Sequence, residues 1–300
     1  MTKIGLEKQS FVRKMSSLRT SSYFCNMKLW VLSLLLTLFF ACKTEPTKKE
    51  PNGLYKTEMP IAVQQLMENL EKHPDSIGLQ LRLVDALDNI GAYQQASEHM
   101  DSLLKKDSLN YGLWYRKAAL QEKTQDTSGA LQSYRYAIRI YPAPDAMLAA
   151  ANLLAEKKDS TCLHICKEVA GYRMGREYSA HCNFISGVYY ARTGNQQKAM
   201  IAFNNCLNNN FNYTEAYMEK GFLYYEDKKI NEALLVFKTL VTVKNTYADG
   251  YYWIAKCEEA LNNKSEAVNY YQKALTLNPK LKESILALKR LGVNSLVESR

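Results

Sequence analysis

Residues 248–281 read ADGYYWIAKCEEALNNKSEAVNYYQKALTLNPKL, and this 34-residue block recurs along the chain. Counted from Ala248, it has Tyr251 at position four, Ala255 at eight, Ala267 at twenty, Tyr271 at twenty-four, Ala274 at twenty-seven and Pro279 at thirty-two. The block 111–144 puts Trp114, Ala118, Ala130, Tyr134, Ala137 and Pro142 in the same places. The block from Ala180 supplies Gly187, Tyr190, Ala199 and Phe203, and the block from Thr214 supplies Tyr217, Gly221, Tyr224, Ala233 and Phe237. Alanines 62, 96 and 130, and again 199, 233 and 267, advance in steps of 34. A fixed period of this length means stacked supersecondary units, each too small to bury its own apolar face.

The order aromatic, small, aromatic, alanine, aromatic, alanine, proline resembles the tetratricopeptide repeat, from about Pro60 to Gly292. The resemblance implies two antiparallel helices per block, with small residues at positions eight and twenty where the helices approach and aromatics filling the space between hairpins. Gly194-Asn195 and Asn262-Asn263 read as turns from first to second helix, and Pro142 and Pro279 as ends of second helices. The fold class expected is all-α: a right-handed superhelical solenoid of about six antiparallel helix hairpins plus capping helices.

The frame divides residues 60–292 into a half repeat at 60–76, repeats near 77–110, 111–144, 144–179, 180–213, 214–247 and 248–281, and a capping helix at 282–292. Residues 293–300 read as a frayed tail. The half repeat carries Ala62 and Pro74 in their slots, and the capping helix shows one apolar stripe, Leu281, Ile285 and Leu288, before Gly292. Two blocks are degenerate. Ile77–Asn110 has Gln80 in an aromatic slot and Ser108 in the proline slot. Pro144–Ser179 keeps Ala151 and Ala170 but runs over-length through Gly171-Tyr172-Arg173-Met174-Gly175, which reads either as a bend between two sub-arrays or as a loop insertion.

Leu29–Ala41 is a run of 13 residues, nearly all apolar. It is shorter than the ~20 residues that span a bilayer and suits the core of a signal peptide. Cys42 follows at once, and the stretch resembles a bacterial lipoprotein signal, although Phe39 and Phe40 depart from the usual Leu and small residue. The resemblance implies a signal peptide at 27–41, lipidation of Cys42, and an address in the bacterial cell envelope, the outer membrane before the inner; an uncleaved anchor and a non-lipid cleavage are the alternatives. Met27-Lys28 is a normal signal start, so residues 1–26 read as an upstream extension. Residues 42–59 combine the cysteine with a polar, lysine- and proline-bearing tether.

The whole chain has formal net charge +9, but residues 1–41 hold six basic and one acidic side chain, leaving 33 basic and 29 acidic. No basic stripe interleaved with aromatics runs through the repeats, so nucleic acid is not an expected partner. Five cysteines remain in the repeats, an odd number without framework spacing: Cys162, Cys166, Cys182, Cys206 and Cys257. Cys206 and Cys257 read as small core residues. For Cys162, Cys166 and Cys182, with His164 and His181 nearby, core packing, a disulfide to Cys182 and a zinc site all stay open, core packing leading. No histidine sits in a nucleophile or metal motif and there is no phosphate loop, so neither catalysis nor a cofactor is expected.

The resemblance implies that first helices line a groove for a protein or peptide, through positions two, five, nine, twelve and thirteen. Among these, Tyr115, Phe184, Met218, Phe222, Tyr225 and Tyr252 would supply contact area, and Arg192 and Lys256 charge. The family's carboxylate clamp, Lys at position five with Asn at nine, is absent: position five is Leu81, Tyr115, Phe184, Met218 and Tyr252. The leading expectation is a membrane-anchored adaptor or scaffold of the envelope, of the kind that assembles a secretion or pilus machine or holds cell-wall enzymes. Glycan recognition by the same aromatics and self-association of the array are the alternatives.

Overall fold

Among residues 59–293, which the computed structural model describes, the chain forms fourteen helices and no strand. They are α1 (Ile61–Lys72), α2 (Ile77–Asn89), α3 (Tyr93–Lys106), α4 (Tyr111–Lys123), α5 (Thr127–Ile140), α6 (Pro144–Glu156), α7 (Thr161–Gly171), α8 (Arg176–Arg192), α9 (Gln196–Asn209), α10 (Thr214–Glu226), α11 (Ile230–Val243), α12 (Ala248–Ala260), α13 (Lys264–Leu277) and α14 (Lys282–Arg290). The readings of residues 1–26, of the signal at 27–41, and of Cys42 and most of its tether lie outside the described residues, as does nearly all of the tail.

Six hairpin turns share one construction. Position fifteen of every block has left-handed backbone: Gly91, Gln125, Lys158, Gly194, Lys228 and Asn262, with φ between 61° and 83°. The next residue's N–H then reaches back to the carbonyl of position eleven, as in Asn195 N–H to Tyr190 O at 2.8 Å and Lys229 N–H to Tyr224 O at 2.9 Å. This bond closes a Schellman cap and stops the first helix. Side-chain oxygens then cap two of the second helices: Asp126 accepts from Gly129 N–H and Asn195 from Lys198 N–H. The block 144–179 keeps this turn at Lys158, so its irregularity begins only afterwards. There α7 is short, Arg173 and Gly175 take positive φ, and α8 starts four residues ahead of the frame.

The chain divides into two compact units at His99–Met100, within α3. In the first, Val63, Leu83, Val84, Leu87 and Ala96 are buried. Gln80, in its aromatic slot, is also buried and donates from Nε2 to the His99 carbonyl at 3.3 Å, which explains how a polar group sits there. Ala62, expected in a buried alanine slot, is exposed. No first helix precedes it among the described residues, so the close approach that selects alanine is missing.

In the second unit each helix packs on the next in sequence. Ala130, Ala199, Ala233 and Ala267 are fully buried. One core runs from Ala118 to Leu223 and a second from Tyr217 to Leu288. The first core passes through the over-length segment without a break: Val169 before it and Ala180 after it belong to the same cluster. Ala170, by contrast, is exposed, because the short α7 ends there. At the far end Leu281 and Leu288 are buried and Ile285 is half-buried, and Val293 N–H closes the last turn onto Leu288 O at 2.9 Å.

Positions eight and twenty-four pack closely where position eight is glycine. A Cβ on Gly187 would stand 2.5 Å from the Phe203 ring, and one on Gly221 2.4 Å from Phe237. In the blocks from Tyr111 and Ala248 position eight is alanine (Ala118, Ala255) and position twenty-four a tyrosine, whose hydroxyl finds a glutamate at position twelve. Tyr134 donates to Glu122 at 2.5 Å and Tyr271 to Glu259 at 2.9 Å. A buried phenol needs such an acceptor, whereas a phenylalanine does not.

All five cysteines of the repeats are buried free thiols. Cys166 and Cys182 touch across α7 and α8; their hydrogen bond, then burial, raises the Cys166 thiol. Burial pushes Cys162 up to about 11 and Cys206 and Cys257 up to about 12. They pack as small apolar groups.

Three first helices are tied by one buried ion cluster. Arg192, at the end of α8, donates from Nε and Nη2 to Glu156 of α6 at 2.8 and 3.1 Å, and from Nη1 and Nη2 to Glu219 of α10 at 2.9 and 2.8 Å. Side-chain exposure is 10% for Arg192, 14% for Glu156 and 8% for Glu219, so water does little to screen the triad. Burial opposes the arginine's charge, but the hydrogen bonds and charges of the two glutamates outweigh it and hold the guanidinium protonated.

Gly221→Ala should destabilise the array by about 1–3 kcal/mol through overpacking, and Phe237→Leu in the same chain should recover part of the loss; urea unfolding of the single and double variants measures the coupling. Arg192→Met should cost about 3–5 kcal/mol, because it strands two carboxylates in the core, while replacing Glu156 and Glu219 with leucine as well should restore most of it; thermal melts that rank the triple below the single variant would refute this.

Candidate functional site

Two sets of half-buried rings lie on first helices of the second unit. The first is centred on α4. Tyr111 and Tyr115, one turn apart, stack at 5.9 Å, Tyr141 meets Tyr111 edge-on at 5.8 Å, and Tyr115 leans on Tyr134 at 5.7 Å. Asp145, in the first turn of α6, accepts from Tyr178 Oη of α8 at 3.1 Å. Burial, followed by the neighbouring Tyr115, Asp145, Tyr141 and Tyr178, pushes the Tyr111 phenol up to about 12.

The second set joins α10 to α12. Trp253 is its hub, with Phe222 at 4.7 Å, Tyr225 and Tyr252 at 5.5 Å each, and Phe237 at 5.8 Å. Tyr252 also packs on Tyr271 at 5.7 Å. Burial, then Glu283, Tyr225 and Glu259, lifts Tyr252 to about 12. These phenols are neutral across the physiological range, so they offer apolar ring edges and hydroxyls that both donate and accept. Beside them Arg290 of α14 forks onto Glu259, with Nη2 to Oε2 at 2.8 Å, and this bond draws the Glu259 carboxyl below its usual range despite its burial.

The expected groove residues separate into two groups. Tyr115, Phe222, Tyr225, Tyr252 and Lys256 are half-buried and keep accessible area. Phe184, Met218 and Arg192 are corrections. Phe184 is 6% exposed, closed over by Tyr213 at 4.9 Å and Phe203 at 6.0 Å. Met218 is 1% exposed and belongs to the second core. Position five therefore keeps accessible area in α4 and α12 but is covered in α8 and α10, at Phe184 by its own hairpin and the loop that follows it. Arg192 is spent inside the glutamate triad.

Sequence reading missed Trp253, Tyr178 and Asp145. Trp253 occupies position six, which the repeat pattern leaves unassigned; in the preceding block that place is Glu219. The two residues do the same job by different chemistry, since each reaches back to the previous first helix. Tyr178 lies in the extra turn of α8, outside the frame. A surface hollow of about 240 Å³ between α8 and α9, lined by Asn183, Ser186, Tyr190, Lys198, Ile201, Ala202 and Asn205, lies apart from both ring sets.

Tetratricopeptide repeat models match residues 81–144 and 248–281. No curated protein matches the sequence. Among solved structures the chain is similar to a tetratricopeptide repeat protein from Parabacteroides merdae (18% identity, 77% of this chain and 91% of that one, TM-score 0.64). It is also similar to PilW, a type IV pilus biogenesis factor (18% identity, 70% and 97% covered, TM-score 0.57). A third is pilF of Pseudomonas aeruginosa (14% identity, 76% and 99% covered, TM-score 0.51). Identities this low speak for the fold alone: the chain has an all-α helical-repeat fold, and tetratricopeptide repeats are matched at residues 81–144 and 248–281.

Proposed function

We propose that the first-helix face of residues 111–293 captures a protein or peptide, and that a lipid on Cys42 holds this adaptor at a bacterial envelope membrane, the outer membrane before the inner. The observation that carries the reading is the pair of half-buried ring sets on successive first helices, around Tyr115 and around Tyr225 and Tyr252. Rigid tyrosines supply contact area at low entropic cost and a hydroxyl for orientation. The chain acts as a scaffold without chemistry of its own. The apolar run 29–41 followed by Cys42, and the polar segment after it, support the anchor.

Tyr115→Ala, Tyr225→Ala and Tyr252→Ala combined should abolish partner capture without unfolding the array. Phe222 is left intact because its ring is wedged between Phe237 and Trp253. Crosslinking in native membranes, full-length chain against the triple variant, should show one dominant protein lost; identical capture by both chains would sink the reading. Separately, Cys42→Ser should lose metabolic palmitate labelling and leave the membrane fraction, and a Cys42→Ser chain that stays labelled would disprove the anchor at that residue.

A further inference from the structure

The charges of the second unit are segregated. First helices α4, α6, α8, α10 and α12 carry seven Lys and Arg against ten Asp and Glu, of which Glu122, Glu156, Glu219, Glu258 and Glu259 are held by Tyr134, Arg192, Lys238, Tyr271 and Arg290 within the fold. The second helices α5, α7, α9, α11 and α13 carry seven against three. Among the first helices, one place combines carboxylate and rings. Tyr111 and Tyr115 of α4, Asp145 of α6 and Tyr178 of α8 converge, with Tyr178 Oη on Asp145 Oδ1 at 3.1 Å. Tyr178 is there because α8 begins at Arg176, one turn ahead of the repeat frame, so the over-length segment supplies this site with its third ring. Arg176 itself donates to the Asn208 carbonyl. Asp145 is exposed, and its hydrogen bond from Tyr178 leaves carboxylate lone pairs unused. Burial comes first in raising the Tyr115 phenol, and the charged groups that add to it, Asp145 and Glu122, are both carboxylates.

We propose that Tyr111, Tyr115, Tyr178 and Asp145 form a receptor for a basic side chain of the partner segment, arginine before lysine. A guanidinium can lie on a tyrosine face while its N–H groups fork onto a carboxylate, which an ammonium does less well. The inference rests on the reading of the first-helix face as a protein-binding face and specifies the charge of the segment bound.

Fluorescence anisotropy with the full-length chain and labelled hexa-arginine, hexalysine and hexaglutamate peptides tests it. The chain's own net charge is positive, so binding of a polycation must come from a local acidic site. Hexa-arginine should bind best and hexaglutamate not at all. Asp145→Lys should weaken hexa-arginine at least tenfold. Asp145→Asn, which keeps the side chain's size, should weaken it in the same direction by less. Tyr178→Phe, which frees the carboxylate of its orienting hydroxyl, should give a small loss. Equal binding by wild type and Asp145→Lys, preference for hexaglutamate, or no binding of hexa-arginine at millimolar concentration overturns the proposal. If it is overturned while the triple tyrosine variant still loses its crosslinked protein, the binding face stands and only its assigned charge falls.

Discussion

The close packing of positions eight and twenty-four in the hairpins that begin at Tyr111, Ala180, Thr214 and Ala248 is the constraint on which the rest of the array depends. Opposite Phe203 and Phe237 there is no room for a methyl group. That closeness lets the aromatic at twenty-four fill the space between helices, beside an alanine at twenty that is fully buried. The chain meets the constraint in two ways. Gly187 and Gly221 accept a phenylalanine, whereas Ala118 and Ala255 go with a tyrosine anchored by Glu122 or Glu259. The second solution commits a first-helix carboxylate to the hairpin's own core in two blocks, whereas in the block from Thr214 the same slot holds Tyr225, packed on Trp253.

The hairpins were legible in the sequence because this constraint repeats. Small residues and aromatics recur in register, and Gly91, Gly194 and Asn262 advertise a left-handed turn that Gln125, Lys158 and Lys228 adopt without any such signal. The interface between successive first helices was less legible. A slot number fixes which way a side chain leaves its own helix, but not how far the neighbour reaches over it. Tyr115 and Phe184 share position five, yet only Phe184 is covered, by a tyrosine from the next loop. Arg192 sits where a groove-facing charge was expected, and its fate depends on Glu156 and Glu219, 36 and 27 residues away in sequence. Trp253 went unseen because its position carries no rule.

Net charge was the least informative quantity. Carboxylates gather on the first helices and cations on the second, and about half of those carboxylates are spent on internal partners, so net charge does not describe any one face of the array. Irregularity, by contrast, was informative. The one block that breaks the frame is the one that lengthens α8 and delivers Tyr178 to Asp145.

The Arg192 triad also changes how the array should come apart. A repeat protein held only by nearest-neighbour contacts opens by fraying inward from its ends, one hairpin after another. Here a single guanidinium grips helices from three consecutive blocks, so α6 cannot leave without taking one of the two carboxylates from a buried guanidinium, and neither can α10. The stretch from α6 to α10 is thereby fused into one opening unit, and its amides should exchange with solvent together, more slowly than those of the blocks on either side.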